Sequence, residues 1–348
     1  MATISPSRSN GWRGAGSLVT TGAALAAGAL AWGALVERNL FTLREHIVPV
    51  LPAGAEPIRM LHLSDLHMAP WQRDKQAWIA ALARLQPDLI VDTGDNLGHR
   101  DGLIGVAAGL EPFRGTPGVY VWGSNDYFAP KPRNPMKYFT GPSRLHGEAT
   151  RLDIDALRRY FDDLGLTGLN NTAAAITVKG TRFEFFGVDD PHRGYDRLDL
   201  VAGAIDELEE SFDEEWGFET RQGAPQPAGK GRRGAPRSPQ NSVVRIGVAH
   251  APYQRVLNDF VNHGAQLILA GHTHGGQICV PGFGALVTNC DIPRQQVKGL
   301  SMWQHARRSS YLNVSAGLGT SIYAPVRFAC PPEASLLTLV PTAEASVA

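Results

Sequence analysis

Short apolar runs alternate with amphipathic segments over residues 57–341. Apolar runs bounded by turn residues predict buried strands, and apolar positions three or four residues apart predict helices. The predicted strands are Ile58–Leu63, Leu89–Val91, Val119–Trp122, Ala173–Val178, Phe183–Val188, Val243–Ala249, Leu267–Ala270, Tyr311–Val314 and Leu336–Val340. The predicted helices are Lys75–Leu85, Asp155–Leu164, Leu200–Leu208 and Tyr253–Asn262. This alternation predicts an α/β layered fold.

Two polar stretches interrupt the pattern. Residues 130–150 form a long insertion after the third strand, and residues 221–241 combine Gly, Pro and basic residues with almost no apolar side chains. The second stretch cannot bury enough surface to offset its ordering entropy, so we predict a disordered loop. A solvated loop is the simpler interpretation, and contact of its basic residues with anionic lipid or substrate is the alternative.

The N-terminal region carries an uncharged segment. Ser17–Val36 has about the 20 residues that a membrane-spanning helix needs. We predict a signal-anchor helix over 17–36, and a cleaved signal peptide or an Ala/Gly-rich helix of a soluble core are the alternatives. An anchor would make this a single-pass protein of the cell membrane with its main domain outside the cytoplasm. Positive charges on the two flanks are nearly even and do not fix the orientation.

These patterns divide the chain into five parts. We predict an N-terminal tail over 1–16, the anchor, a connector over 37–56, one domain over 57–341 and a tail over 342–348.

Composition adds two restrictions. The 348 residues include 33 Lys+Arg and 33 Asp+Glu, a formal net charge of +0, so we expect no nucleic-acid partner. The three cysteines, Cys279, Cys290 and Cys330, match no zinc-finger or redox spacing and are interpreted as buried or idle thiols. Neither feature predicts an oligomeric state.

Polar residues that can bind metals follow five of the predicted strands. The stretches are Asp65-Leu66-His67, Gly94-Asp95-Asn96, Gly123-Ser124-Asn125-Asp126, His250 and Gly271-His272-Thr273-His274. Sites in open α/β sheets form beyond the carboxyl ends of the strands, so these side chains should converge. Alone, any one of them could be a turn residue or a core histidine, and His62, inside its strand, is expected in the core. Together, mixed carboxylate and imidazole ligands favour Mn, Fe or Zn, and a shared carboxylate would give a two-metal site.

The same ordered motifs resemble the calcineurin-like metallophosphoesterases over about residues 57–341. The resemblance implies a four-layer sandwich, in which two mixed β-sheets are flanked by helices and two metals lie at one edge. Gly275-Gly276-Gln277, Gly317-Leu318-Gly319-Thr320, Pro325 and Arg327-Phe328 resemble the bacterial membrane-tethered branch. That branch implies hydrolysis of phosphodiester or pyrophosphate bonds, with lipid-linked or sugar-nucleotide substrates such as UDP-diacylglucosamine.

The resemblance also implies roles for individual residues. Asp65, His67 and His274 would hold a first divalent metal, and Asp95 would bridge to a second. His250 and His272 would hold the second, together with an amide oxygen from the turn after the third strand. Water between the metals would then attack a phosphoester. The alternative function is a catalytically weak scaffold or sensor that binds metal and phosphate groups.

The turn at Gly123 departs from the family pattern, which reads Gly-Asn-His-Asp or Gly-Asn-His-Glu. Without a gap, Ser124 replaces the metal-binding Asn and Asn125 replaces the catalytic His. With a one-residue shift, Asn125 keeps the ligand role and Asp126 stands where the acid would act. We favour the shift, because an amide carbonyl is the better oxygen donor.

Either alignment leaves the turn without a histidine. Substrates with good leaving groups, or a proton from His99 or His192, would compensate for this loss. Asp189 and Asp190 are interpreted as turn and support residues.

Overall fold

The computed structural model describes residues 11–130, 150–215, 243–320 and 323–342. The predicted disordered loop and most of the predicted insertion lie outside these ranges. The helices are α1 Gly11–Leu35, α2 Arg73–Ala81, α3 Gly102–Leu110, α4 Ser124–Tyr127, α5 Ile154–Leu164, α6 Leu198–Glu215 and α7 Gln254–Asn262. The strands are β1 Thr42–Leu51, β2 Ile58–Leu63, β3 Leu89–Asp92, β4 Gly118–Tyr120, β5 Leu166–Gly168, β6 Thr172–Val178, β7 Thr181–Gly187, β8 Val243–Val248, β9 Leu267–Ala270, β10 Cys279–Val280, β11 Gly284–Ala285, β12 Gly299–His305, β13 Arg308–Val314 and β14 Glu333–Pro341.

The larger strands form two mixed sheets of six strands each. The first has the order β1-β14-β2-β3-β4-β5, and β2 to β5 run parallel. The second has the order β12-β13-β9-β8-β7-β6, in which β13, β9, β8 and β7 are parallel. Parallel neighbours bring their carboxyl ends to the same edge of a sheet, and the loops after β2, β3, β4, β8 and β9 leave from those edges.

Three apolar cores hold four layers together. One core lies between the sheets and combines side chains such as Met60 and Val91 with Phe185 and Leu269. A second packs the first sheet against α2, α3 and α5, and a third packs the second sheet against α6 and α7. Strands buried on both faces read as continuous apolar runs, which is why β2, β3, β8 and β9 were visible in the sequence. The α/β fold with mixed sheets flanked by helices is confirmed.

The stretch 37–56 differs from the predicted connector. It contains β1, which pairs along its length with β14 at the edge of the first sheet and buries Val48 and Val50. Pro49 obscured this strand in the sequence, yet an edge strand tolerates proline because one side needs no backbone donors. The chain therefore enters the sheet before residue 57.

Helix α1 covers most of the segment predicted to cross a membrane. Within the described parts of the chain, no helix combines the length and the apolar character that crossing a membrane requires. The transmembrane segment predicted over 17–36 is therefore not supported.

Candidate metal centre

The predicted ligands converge at the edge where β2, β3, β8 and β9 end. Asp65, His67 and His274 form one group in which each side chain offers an atom within 4.8 Å of the others. Asp65 Oδ1 lies 3.5 Å from His274 Nε2, and the Nε2 atoms of His67 and His274 are 3.3 Å apart. Asp65 Oδ1 is buried, and it has no hydrogen-bond partner among the described residues. An unsatisfied carboxylate oxygen facing two imidazole nitrogens fits a bound cation.

A second group consists of Asp65, Asp95 and His250, and Asp95 also faces the first group. Its Oδ2 lies 3.5 Å from His67 Nε2, and its Oδ1 lies 3.5 Å from His250 Nε2. His272 Nδ1 is a further 3.2 Å from His250 Nε2. The two oxygens of one carboxylate thus face different histidine pairs, which is the position that a bridging ligand requires.

Backbone carbonyls orient two of the imidazole rings. His250 Nδ1 lies 2.7 Å from Thr93 O, and His274 Nδ1 lies 3.1 Å from Gly319 O. Because a carbonyl oxygen only accepts, each Nδ1 carries a proton and each Nε2 faces the centre. His272 has the opposite orientation, with Nε2 beside Asn289 Nδ2 at 3.1 Å and Nδ1 towards His250.

The backbone at the ligands is strained. Non-glycine residues with positive φ include Asp65, His67, Asp95, His272 and His274, with φ values of 49°, 39°, 59°, 67° and 50°. Such conformations persist when the surrounding structure fixes them, and they concentrate at functional sites. Gly271 has a matching constraint, because a Cβ there would overlap the Ser64 hydroxyl. Sharp turns after the strands therefore aim the ligands inward.

The pKa of His250 is shifted in the opposite direction from the pKa values of His67, His272 and His274. Burial lowers the pKa of His67 to about 4, and burial with nearby Arg327 lowers the pKa of His274 to about 3. Burial also acts on His250, but Asp95 and Asp65 outweigh it and raise the pKa of His250 to about 9. Asp95 is likewise buried, yet His250 and His67 hold its pKa below the ordinary value. Negative charge near His250 thus attracts a proton, and would attract a cation in its place.

The structure corrects the prediction for Asp126. Its Oδ2 accepts from the backbone N–H groups of Gly123 and Asp95, both at 2.9 Å, and its Oδ1 accepts from Asn96 N at 2.7 Å. The carboxylate is fully buried and clamps the turn to the Asp95 loop. The interpretation of Asp126 as a proton donor is not supported, because its oxygens are occupied by the backbone.

This position of Asp126 favours the alignment without a gap. Asp126 takes the place of the acidic residue that ends the family's turn, so Ser124 stands at the ligand position and Asn125 at the histidine position. Asn125 contacts the bridging carboxylate through Nδ2, at 2.6 Å from Asp95 Oδ2, and through its backbone N, at 2.7 Å from Oδ1. Asn125 therefore belongs to the centre, and its role as a metal ligand stays a prediction.

The other histidines named in the sequence analysis lie in different places. His62 is fully buried beside Thr93 Oγ1 and Asn313 Nδ2, as expected of a core histidine. His192 reaches the centre, with its ring centroid 4.5 Å from that of His272, whereas His99 packs against Trp71.

Sequence reasoning missed two residues that support the ligands. Asn289 lies beside His272, and no motif marked it. The Arg327 guanidinium is fully buried and donates to the carbonyls of Ala316, Gly317, Gly319, His274 and Cys330. A single arginine in a chain with 33 Lys+Arg gives no sequence signal of such a role, although Arg327 was noted as part of the resemblance.

Two groups of imidazole and carboxylate side chains that have Asp65 in common are typical of metal-dependent hydrolases. The family model described as "Calcineurin-like phosphoesterase" matches residues 58–276, and the chain belongs to this family. It is therefore a metal-dependent phosphoesterase by family, and divalent metals are the cofactors of that family.

Two relatives in Bacillus subtilis (strain 168) match most of the chain. The uncharacterized metallophosphoesterase YkuE is 24% identical over 334 residues, which cover 93% of this chain and 94% of the relative. The uncharacterized protein YpbG is 25% identical over 305 residues, which cover 85% and 87%.

Solved structures give weaker matches. TT1561 of Thermus thermophilus covers 76% of this chain and 91% of its own, with a TM-score of 0.39 and 12% identity. Phosphopantetheinyl hydrolase (PptH) from Mycobacterium tuberculosis covers 80% and 98%, with a TM-score of 0.35 and 14% identity. Scores this low carry no argument about function.

Proposed function

We propose that the protein hydrolyses phosphodiester or pyrophosphate bonds at a centre of two divalent cations, with Mn, Fe or Zn as the expected metals. One observation carries the proposal. The two oxygens of Asp95 each lie 3.5 Å from a histidine nitrogen of a different ligand group. A carboxylate in that position would let two cations bind close together, as they do in phosphate ester hydrolysis.

Different side chains of the centre would bind the metals and contact the phosphoryl group. Bound cations would lower the pKa of a bound water and would offset negative charge on the phosphoryl oxygens. Asp65, His67 and His274 would hold one cation, and His250 and His272 would hold the other. Asn125, whose amide nitrogen donates to Asp95 Oδ2, would also donate a hydrogen bond to a phosphoryl oxygen.

The substrate and the cellular location form a separate part of the proposal. The resemblance to the membrane-tethered branch favours a lipid-linked or sugar-nucleotide phosphoester, handled outside the cytoplasm. Leu25, Leu30 and Leu35 are exposed on α1, and this supports membrane attachment through the N-terminal helix. Fractionation of cells that express the full chain tests it, since a protein recovered entirely without the membranes would contradict attachment.

The full-length chain with Mn²⁺ and an activated phosphodiester tests the reaction. We expect turnover that a chelator removes and that Asp95→Asn lowers by at least ~10²-fold, beyond the 10–100-fold typical of residues behind the ligands. Asp88→Asn is the matched control, because Asp88 pairs with Lys179 at the start of β3 and should leave the rate unchanged.

The absent turn histidine favours a second candidate, a metal-binding and phosphate-binding scaffold. A wild-type chain that binds two cations, yet hydrolyses no diester, monoester or sugar-nucleotide pyrophosphate, would support the scaffold and overturn the enzyme.

A further inference from the structure

The second half of the centre has an incomplete set of ligands. Asp95, His250 and His272 surround it, and the family's amide ligand from the turn is replaced by Ser124. A serine hydroxyl is a weaker neutral donor than an amide carbonyl. A site that uses it needs another group to make the hydroxyl oxygen more electron-rich.

Asp190 stands behind that hydroxyl. Ser124 Oγ donates a hydrogen bond to Asp190 Oδ2, and Asp190 is fully buried while Ser124 is only 9% exposed. The other oxygen of Asp190 accepts from His192 N at 2.9 Å, and Arg193 Nε lies 3.9 Å from Oδ2. Burial of a carboxylate is costly unless it is paired and hydrogen-bonded, and the Ser124 hydroxyl is one of the partners that Asp190 has here.

Ser124 and Asp190, here called the pair, lie on the side of the second ligand group. Gly123, the residue before Ser124, packs so closely that a Cβ there would meet Asp95 Oδ1 and His250 Cε1. Asp190 interacts electrostatically with His250, and the His192 ring beside it packs against His272. The pair therefore borders the ligands expected to hold the second cation.

We propose that Ser124 Oγ is the oxygen ligand that the turn contributes to the second cation, and that Asp190 is the positioning carboxylate that strengthens it. The hydroxyl gives its proton to a hydrogen bond with Asp190, which orients the oxygen lone pairs towards the cation and raises their basicity. A serine hydroxyl supported by a buried carboxylate then replaces the amide at the ligand position of the turn. The inference rests on the proposed two-cation centre and is independent of the substrate.

Manganese binding by the full-length chain tests the pair without any substrate. We expect wild type to bind two Mn²⁺ ions, measured by metal content and titration calorimetry. Asp190→Asn should weaken the second ion by ~10–100-fold and leave the first unchanged, as is typical when a partner behind a ligand is removed. Ser124→Ala should lose the second ion under the same conditions. Asp88→Asn is the matched control, because Asp88 pairs with Lys179 before β3, at the opposite end of that strand from Asp95.

A double variant separates this role from a merely structural one. Ser124→Asn installs the family's amide ligand, which does not depend on a carboxylate behind it. Adding Asp190→Asn to Ser124→Asn should therefore change second-ion affinity by less than ~3-fold, against the ~10–100-fold expected with Ser124 present. Circular dichroism and unfolding temperature in chelator verify that each variant is folded.

Equal losses from Asp190→Asn in both backgrounds would overturn the proposal, and so would two tightly bound ions in either single variant. Failure of the proposed function looks different, since wild type would then bind two ions without hydrolysing any phosphoester. A wild type that binds one ion or none would remove the two-cation centre and this inference with it.

Discussion

The two halves of the metal centre are built differently. The first half, Asp65, His67 and His274, keeps every ligand of the family pattern and is supported from behind by Arg327. The second half keeps Asp95, His250 and His272, but its turn carries Ser124 and Asn125 where the family has asparagine and histidine. The departure from the family is thus confined to the side that would hold the second cation.

This contrast indicates which properties are open to change. A first cation held by three strand-end side chains and supported by a buried arginine would have little freedom to move. A second cation would depend on a turn whose fold is kept by Asp126 and whose ligands come from other residues. The same backbone can therefore carry a different donor and a different proton supply.

The largest expected effect concerns the absent histidine. Asn125→His should raise the rate with substrates that have poor leaving groups by ~10²-fold, because positioned general acids contribute ~10²–10⁴-fold. Activated substrates should gain little. The measurement is the dependence of the rate on leaving-group pKa in a series of diesters, with Asn125→Gln as the matched control. A flat dependence in wild type would mean that a proton donor is already present and would contradict the comparison.

A smaller effect should come from Arg327, which supports only the first half of the centre. Arg327→Met leaves several buried carbonyls without their donor, so we expect a loss of about 1–3 kcal/mol in the free energy of unfolding. First-ion affinity should fall ~10–100-fold, because Arg327 contacts the carbonyl of Gly319 that orients His274.

Denaturant unfolding and calorimetry measure the two quantities. Arg114→Met is the control, since Arg114 pairs with Glu111 at the surface and should change little. A variant in which the second ion weakens instead would show that Arg327 does not act through His274.

More of the first half of the centre than of the second could be predicted from the sequence. Asp-x-His and His-x-His follow buried apolar strands, so β2 and β9 could be located and their ligands assigned to one edge of the sheets. The turn could not be aligned from the sequence, because Ser124 and Asn125 are both oxygen donors. Only the three backbone contacts of Asp126 favour one alignment.

Long-range partners explain the other omissions. The contact between Asp190 and Ser124 joins residues 66 apart in the chain, and β1 pairs with β14 across almost the whole sequence. Neither produces a local pattern of hydrophobic and polar positions. Pattern analysis therefore predicts the strands of the core better than the edge strand and the groups behind the ligands.

The smallest expected effect is the release of a proton when a cation binds, and only the second half should show it. In the metal-free protein the pKa of His250 is raised to about 9, whereas those of His67 and His274 are lowered to about 4 and 3. A raised pKa stabilises the folded state below pH 6.5, and this stabilisation is lost as the pH rises towards 9. Between those values a cation must displace the proton of His250, so second-ion affinity should increase by up to ~10-fold per pH unit.

Calorimetry at about pH 7.5 in buffers of different ionisation enthalpy counts the protons. We expect the four ligand histidines together to release about one proton when both ions bind, and the second ion to account for it. His263→Gln is the control, because His263 pairs with Asp259 away from the centre. Ring signals of the metal-free protein in nuclear magnetic resonance should show His250 charged and His67 neutral at this pH. If His67 carries the charge instead, the electrostatic contrast between the halves is reversed, because the proton then marks the first site as the one with excess negative charge.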